Sequence, residues 1–591
     1  MFLSNIKLWN FRRFGSDDTT EFSLYKPNLD LQLNEGINVL IGENDSGKTA
    51  IIDAIRLVLK TQDYEWYRIS EDDFYKTSNR FRIELRFDNL ADEEAKNFIE
   101  WLSFENVEDK DEKRFFLRII YDVERNENKI FPSDVCAGSD ENGYPLTAEA
   151  RDFLRVTYLK PLRDAEKELT PSRYSRLSSI LFSSDVFKNG ITPTELQEKI
   201  TDFNDFVELF FTDSSKDGYK IKRILDDYLS KFIDINTEVD LSFSATDIKN
   251  VLSKLELGIK EIINPGLGSL NRLYMAAELL NLKRGDWEGV RLGLIEELEA
   301  HLHPQAQMKV IEHLCNNCIK DNIQFILTTH SPNLASKIQL ENLILCSNSK
   351  CFPLGKDYTM LKEKDYKFLQ KFLDTTKSNL FFAKGLIFVE GWAEQIFLPS
   401  FVDFLKEKGI VSRTITEAGV SIINVGSTAF LRYVKIFQRK DNSEIGIPIA
   451  VITDSDVATY DKNTHEKIPD EAIKEQLSTV ITTKEDNYKY GNSIKAFIAN
   501  NWTFEYALYK STVFSEKIQE IMKAIHSETT FSDFEKKLAE KLLNRSLDKT
   551  EIAYKIAEKI NSGDFQTISK EQIENDSSIS YLIGAVKFVC K

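Results

Sequence analysis

Apolar residues change their spacing several times along the chain, and those changes divide it. Ile6–Phe14, Phe81–Phe87 and Arg114–Tyr121 alternate, so the amino-terminal part is predicted to hold strands that bury one face. The continuous run Ile37–Ile41 reads as a strand covered on both faces, and Ala50–Leu59 is apolar at helical spacing. From about Pro171 to Thr246 the pattern turns helical and polar, which predicts an insertion; it lacks the sustained heptads of a long coiled-coil arm. A helix is expected at Leu273–Leu282, with strands at Leu292–Ile295 and Phe325–Thr329. Ser347–Ser378, rich in lysine and turn formers, reads as a linker. Beyond it Gly385–Glu390, Val420–Val425, Ile447–Asp456 and Ile494–Asn500 read as strands among helical segments, which predicts a second parallel sheet with covered faces. A helical, lysine-rich tail closes the chain. The expected domains are a split α/β unit (1–170 and 247–346), a helical insertion (171–246), a linker (347–378) and a second α/β unit with its tail (379–591).

Composition narrows the partners. The 591 residues are 42% hydrophobic and 29% charged, which is globular, and a net charge of −17 argues against a uniformly basic nucleic-acid coat. Any DNA contact is therefore expected through a local basic patch or through metal ions. The first residues lack the long apolar core of a signal peptide, and no apolar run of about 18 residues could span a bilayer, so a cytoplasmic protein is expected. Six cysteines in so long a chain suggest reduced thiols. Cys315-x-x-Cys318 has metal-like spacing, but no second pair stands near it to complete a tetrahedral site.

Candidate chemistry begins at Gly42-Glu-Asn-Asp-Ser-Gly-Lys-Thr49, a P-loop in the strand–loop–helix context that the motif requires. Gly42, Asn44, Ser46 and Gly47 would curl the backbone around phosphates of ATP. Lys48 would reach the β/γ-phosphates, and Thr49 would ligate Mg²⁺. Arg12 and Arg13 end the first strand where a guanidinium could approach the nucleotide, although a solvated strand end explains them equally. Ser70–Phe74 falls where many ABC-type ATPases sense the γ-phosphate, but no glutamine marks it. Gly268 and Ser269 open a helix as an ABC signature does, and in that arrangement they would contact a nucleotide on another subunit. Leu292–Ile295 ends in Glu296 and Glu297, one to orient Mg²⁺ and one to polarise the attacking water. His330 follows the next strand, placed to read the γ-phosphate, whereas His301 and His303 read as structural. Arg163 and Asp164 fit a functional role or a solvated helix start equally well.

A second constellation is acidic. Glu390 ends one strand with Glu394 just beyond it, Asp454 and Asp456 end another, and Glu505 opens a helix after a third. Acids at the carboxyl ends of parallel strands face the ligand crevice, and so many together require cations, Mg²⁺ or Mn²⁺, to neutralise them. Two such ions would support phosphodiester hydrolysis.

Glu390-Gly-x-x-Glu394 followed by Asp454-x-Asp456 resembles a Toprim domain, the module shared by topoisomerases, primases and some nucleases. With Gly42–Thr49, Tyr158–Leu169, Gly268–Asn271, Glu296–Pro304, Thr329–Pro332 and Thr503-Phe-Glu505, the whole chain resembles the OLD (overcoming lysogenization defect) family of nucleases. That resemblance implies an α/β fold in which an ABC-type P-loop ATPase with a helical dimerisation insertion precedes a Toprim parallel-sheet domain. It also implies a homodimer or higher homo-oligomer, ATP-regulated and Mg²⁺-dependent nicking or cleavage of DNA, and service in antiphage defence. Relatives work alone, with a helicase-like partner, or with a retron's reverse transcriptase and its DNA. Leu298 stands where the family commonly has proline. The family's late catalytic lysine commonly adjoins a Gly-x-Phe turn; Ser562 stands there in this chain, and Lys559 is the nearest candidate. The rival reading is a nucleotide-dependent DNA-binding switch whose Toprim domain grips DNA without cutting it.

Overall fold

Ile37–Ile41 is buried along its whole length because it lies inside a parallel sheet, between Gln324–Thr328 and Leu343–Ser347. In this computed structural model the described residues are 1–17, 22–61, 67–106, 113–126, 129–160, 177, 180–181, 194–232, 251–255, 257, 259–260, 266–283, 288–426, 430–526 and 533–591. Among the described residues the sheet has six strands. Thr157–Leu159, Leu292–Ile295 and Gln324–Thr328 lead up to the P-loop strand, and Leu343–Ser347 and the antiparallel Lys350–Pro353 follow it. The helix Lys48–Leu59 buries Ile51, Ile52 and Ile55 against the inner face of an antiparallel sheet that carries Ile6, Leu8, Ile83, Leu85 and Leu117. In that sheet Phe2–Trp9 pairs with Leu29–Gln32 and Arg80–Asp88, and the last pairs with Lys113–Asn126, as the alternation predicts.

Of the insertion, two packed helices are described, Thr194–Thr212 and Asp217–Phe232. They leave Phe203, Phe206, Leu209, Ile221 and Ile224 more than half exposed.

The expected linker is corrected. Lys350–Pro353 completes the edge of the ATPase sheet, and Glu363–Phe372 is a helix that buries Tyr366 and Leu369, with Leu373 following. Their i, i+3 and i+7 spacing makes an apolar stripe that the surrounding lysines conceal in the composition. This stripe belongs to one core that runs from Ile37, Val39 and Leu345 through Leu369 and Leu380 to Phe388, Ile449 and Val451. The two halves are thus joined by packing as well as by chain.

The carboxy-terminal sheet is parallel throughout, in the order Val420–Asn424, Gly385–Val389, Ile449–Thr453, Ile494–Ile498. A second core covers it with Trp392–Glu407, Lys549–Asn561 and Ser580–Val589. Among the described residues no helix is long and apolar enough to cross a membrane.

Gly42 shows how tightly the P-loop is seated. Its φ is 133°, and a Cβ there would stand 2.2 Å from the Cys346 carbonyl oxygen, so a side chain meets both backbone strain and a rigid wall. Gly42→Ala is expected to displace the loop and weaken ATP binding at least 10-fold, measured by titration with a fluorescent nucleotide.

Candidate functional site

In the amino-terminal half the P-loop curls between strand and helix, with Gly47 at φ 105°. The Lys48 ammonium donates to the Gly42 carbonyl at 3.0 Å and to Ser46 Oγ at 3.1 Å. Burial pulls its pKa below the ordinary value. Thr49 Oγ1 donates to Glu296 Oε2 at 3.1 Å, and Tyr158 Oη donates to Glu296 Oε1 at 2.8 Å. Glu296 is 3% exposed, and burial raises its pKa. The acid at the strand end thus faces the threonine of the phosphate loop, where the magnesium of a nucleotide would be shared. The loop's positive-φ glycines, its lysine and this oxygen pair fit a bound ATP.

Glu297 takes a left-handed φ of 45° and donates its backbone N–H to Thr328 Oγ1 at 3.1 Å. The His330 N–H is accepted by Glu299 at 2.6 Å, and Thr329 donates to the same carboxylate at 2.8 Å. Burial, then Lys48, lowers the His330 pKa, which keeps the imidazole neutral at physiological pH. Gly268 and Ser269 lie in the first turn of Leu267–Leu282, where a Cβ on Gly268 would come 2.6 Å from the His301 carbonyl. His303 caps the helix Pro304–Asn317, accepting from the Ala306 N–H. Arg12 pairs with Asp53 at 2.6 Å and Asp73 at 3.0 Å, which ties Ser70–Phe74 to the P-loop helix. Arg13 stays beside the loop, in a cavity of about 610 Å³ whose far wall includes Lys384 and Ile447.

In the carboxy-terminal half the strand ends bring acids together. Glu390 Oε1 accepts from Thr453 Oγ1 at 2.6 Å and from the Asp454 N–H at 3.2 Å. Glu394 reaches back to accept from the Gly391 N–H at 3.1 Å, as the third residue of a helix does in a capping box. Asp454 and Glu505 are 7% and 2% exposed. Burial, Glu505 and Glu390 hold the Asp454 pKa well above the carboxylate range. Burial and then Glu505 push Glu394 up to about 7. Among the described residues, Lys484 donates to the Asp454 carbonyl oxygen at 2.6 Å, and Lys549 Nζ stands against the carboxylates, 2.9 Å from Glu505 Oε2. Burial opposes its charge, but Glu505, Asp454 and Glu394 prevail and raise its pKa. Among the described residues no three acids close around one point tightly enough to hold an ion as they stand. Uncompensated carboxylates repel one another; an all-oxygen donor set, in which burial and neighbouring acids raise the pKa of Asp454 and Glu394, fits Mg²⁺ or Mn²⁺.

Residues 381–456 match the TOPRIM domain profile of overcoming lysogenization defect protein-like proteins, and segments spanning residues 1–335 match the AAA ATPase domain. The chain belongs to the AAA ATPases, and its carboxy-terminal half carries a TOPRIM domain of the OLD-like kind. Among its relatives, an endonuclease GajA of Bacillus cereus is 22% identical, aligning 83% of this chain with 81% of that one. The OLD nuclease of Thermus scotoductus is 26% identical over 62% of this chain and 70% of its own. A retron Ec83 probable ATPase of Escherichia coli is 22% identical over 56% and 70%.

Glu390 and Asp454 stand at the ends of neighbouring strands, and Glu394 and Glu505 join them from the first turns of the helices that follow. Asp456 does not join them closely: exposed and at φ 60°, it sits at the rim and pairs with Lys484 at 3.1 Å. Lys559 is a correction. It pairs with Asp564 at 3.2 Å and Glu520 at 3.6 Å, while Lys549, which opens the same helix, reaches the acids. Sequence reasoning also missed Glu299, Lys484 and Tyr158 Oη as site groups. Arg163 and Asp164 lie outside the described residues.

The raised pKa of Glu394 has a stability sign. A carboxyl that titrates at 4.5 unfolded and about 7 folded favours the fold below pH about 4.5 and loses that contribution as pH rises through 7. In chelator the protein should lose on the order of 3 kcal/mol across that window. Urea unfolding at a series of pH values checks this: Glu394→Gln should flatten the slope, and Mg²⁺ should offset the loss.

Proposed function

We propose that this protein is an OLD-family, ATP-regulated, divalent-metal-dependent DNA endonuclease of bacterial antiphage defence, acting as a cytoplasmic homodimer or larger homo-oligomer. The observation that supports it most is the burial of Glu394, Asp454 and Glu505 at one end of the carboxy-terminal sheet, with Lys549 against Glu505. Relatives named endonuclease and nuclease support cleavage, and retron ATPases support a defence role with a partner. Glu390, Glu394, Asp454, Asp456 and Glu505 would hold Mg²⁺ or Mn²⁺. When bound, the metal would supply an acidified water and a counter-charge for the leaving oxygen. Thr453 and the Asp454 N–H aim Glu390, the Gly391 N–H aims Glu394, and Lys549 balances charge that develops on the phosphodiester.

ATP would draw Lys48 off the loop carbonyls and engage Glu296, Glu297 and His330, while Gly268 and Ser269 of a second copy close over the γ-phosphate. The exposed apolar residues of the insertion, Phe206 among them, supply a face on which two copies can pair. The core that continues from Val39 to Phe388 lets a shift at one site bias the other.

Supercoiled plasmid with Mg²⁺ or Mn²⁺, with and without ATP, tests this reading. Wild type is expected to nick or linearise it; Asp454→Ala should abolish cutting, and Lys48→Ala should cut without responding to ATP. Intact plasmid in every condition, phage DNA included, refutes the nuclease and favours a DNA-gripping switch. In the same assay Lys549→Ala should fall about 100-fold, with Lys559→Ala near wild type.

A further inference from the structure

Helix Ser580–Val589 closes the carboxy terminus, packing against the strands Ile449–Thr453, Ile494–Ile498 and Gly385–Val389. Its buried face is apolar, Leu582, Ala585, Val586 and Val589, with one exception. Tyr581 is 6% exposed, and its Oη has no hydrogen-bond partner among the described residues. A buried tyrosine hydroxyl ordinarily finds a partner, because leaving it without one forfeits its hydration. Phenylalanine would fill the same apolar pocket without that loss, so packing does not account for the oxygen.

The position of the hydroxyl does. Tyr581 lies on the helix that backs the strands whose ends carry Glu390 and Asp454, and Asp454, Glu394, Glu505 and Glu390 all act on it electrostatically. Lys549 is engaged by Glu505. A neutral phenol in such a field turns its O–H dipole toward the negative charge, and is a donor.

We propose that Tyr581 is a positioning residue of the Toprim site, its hydroxyl donating a hydrogen bond to a water in the hydration shell of a cation held by Glu390, Glu394, Asp454 and Glu505. The inference rests on the divalent-metal reading above. It makes the carboxy-terminal helix, which lies beyond the residues matched to the TOPRIM profile, part of the site. Outer-shell donors fix the orientation of what the ligands hold, and their loss weakens metal binding while the ligands remain in place.

The test uses the full chain without DNA, so it does not depend on cleavage. Mn²⁺ binding is measured by calorimetry or by the paramagnetic resonance of the free ion for wild type, Tyr581→Phe and Asp454→Ala. Thermal unfolding is followed in chelator and in Mn²⁺. Tyr581→Phe is expected to weaken Mn²⁺ binding about 10-fold, while its Tm in chelator equals or exceeds that of wild type. A merely structural tyrosine would shift the Tm and leave the affinity alone. Unchanged affinity in Tyr581→Phe, with binding abolished in Asp454→Ala, refutes the role of Tyr581 and leaves the metal reading standing. A lower Tm in chelator shows that the hydroxyl has a partner within the protein, and also refutes it. If wild type binds no Mn²⁺, both readings fall together.

Discussion

Like charges forced together out of water are what the carboxy-terminal half has to manage. Glu394, Asp454 and Glu505 are each nearly buried, and Lys549 stands against Glu505. Such an arrangement is poor as a stabilising device, because ionised groups lose hydration without full compensation. The sheet tolerates it because the buried strands Gly385–Val389 and Ile449–Thr453 lead directly into Glu390 and Asp454, where the backbone N–H groups of Asp454 and Gly391 take part of the charge on Glu390 and Glu394. Stability is conceded locally.

The amino-terminal half solves a milder form of the same problem. Glu296 is buried too, but Thr49 and Tyr158 satisfy its two oxygens, and Arg56 stacks 3.6 Å from the Tyr158 ring centroid. That acid is pre-organised rather than strained. Between the halves the apolar stripe of Glu363–Phe372 makes a single packed body, and packed interiors pass displacement on rather than absorb it. The cleft in which P-loop residues face Lys384 and Ile447 lies on this seam.

Much of this was legible in the sequence, for a physical reason. Parallel strands are apolar runs, and their ends carry function, so Glu296, Glu390 and Asp454 could be read from position alone. The P-loop was legible because its glycines are required by backbone geometry. Lys549, Lys484 and Tyr581 were not: they come from helices that fold back on the sheet, and only tertiary packing brings them to the acids. Lys559 was misplaced because a helix start and a turn further along offer equally plausible lysines until the helix has a direction. The misread linker shows the converse, since lysine-rich composition outweighed the helical spacing of Tyr366, Leu369 and Leu373.

The order of strands in the ATPase sheet also constrains synthesis. Ile37–Ile41 emerges early, yet both of its sheet neighbours, Gln324–Thr328 and Leu343–Ser347, come from far later in the chain. Until those neighbours are made, the P-loop strand has no hydrogen-bonding partners and the Cys346 carbonyl that walls Gly42 does not exist. Closing so long a loop is entropically slow. A nascent chain that stops short of that second neighbour therefore has no complete nucleotide pocket. ATP binding itself thus reports that the ribosome has passed well beyond the motif that names it.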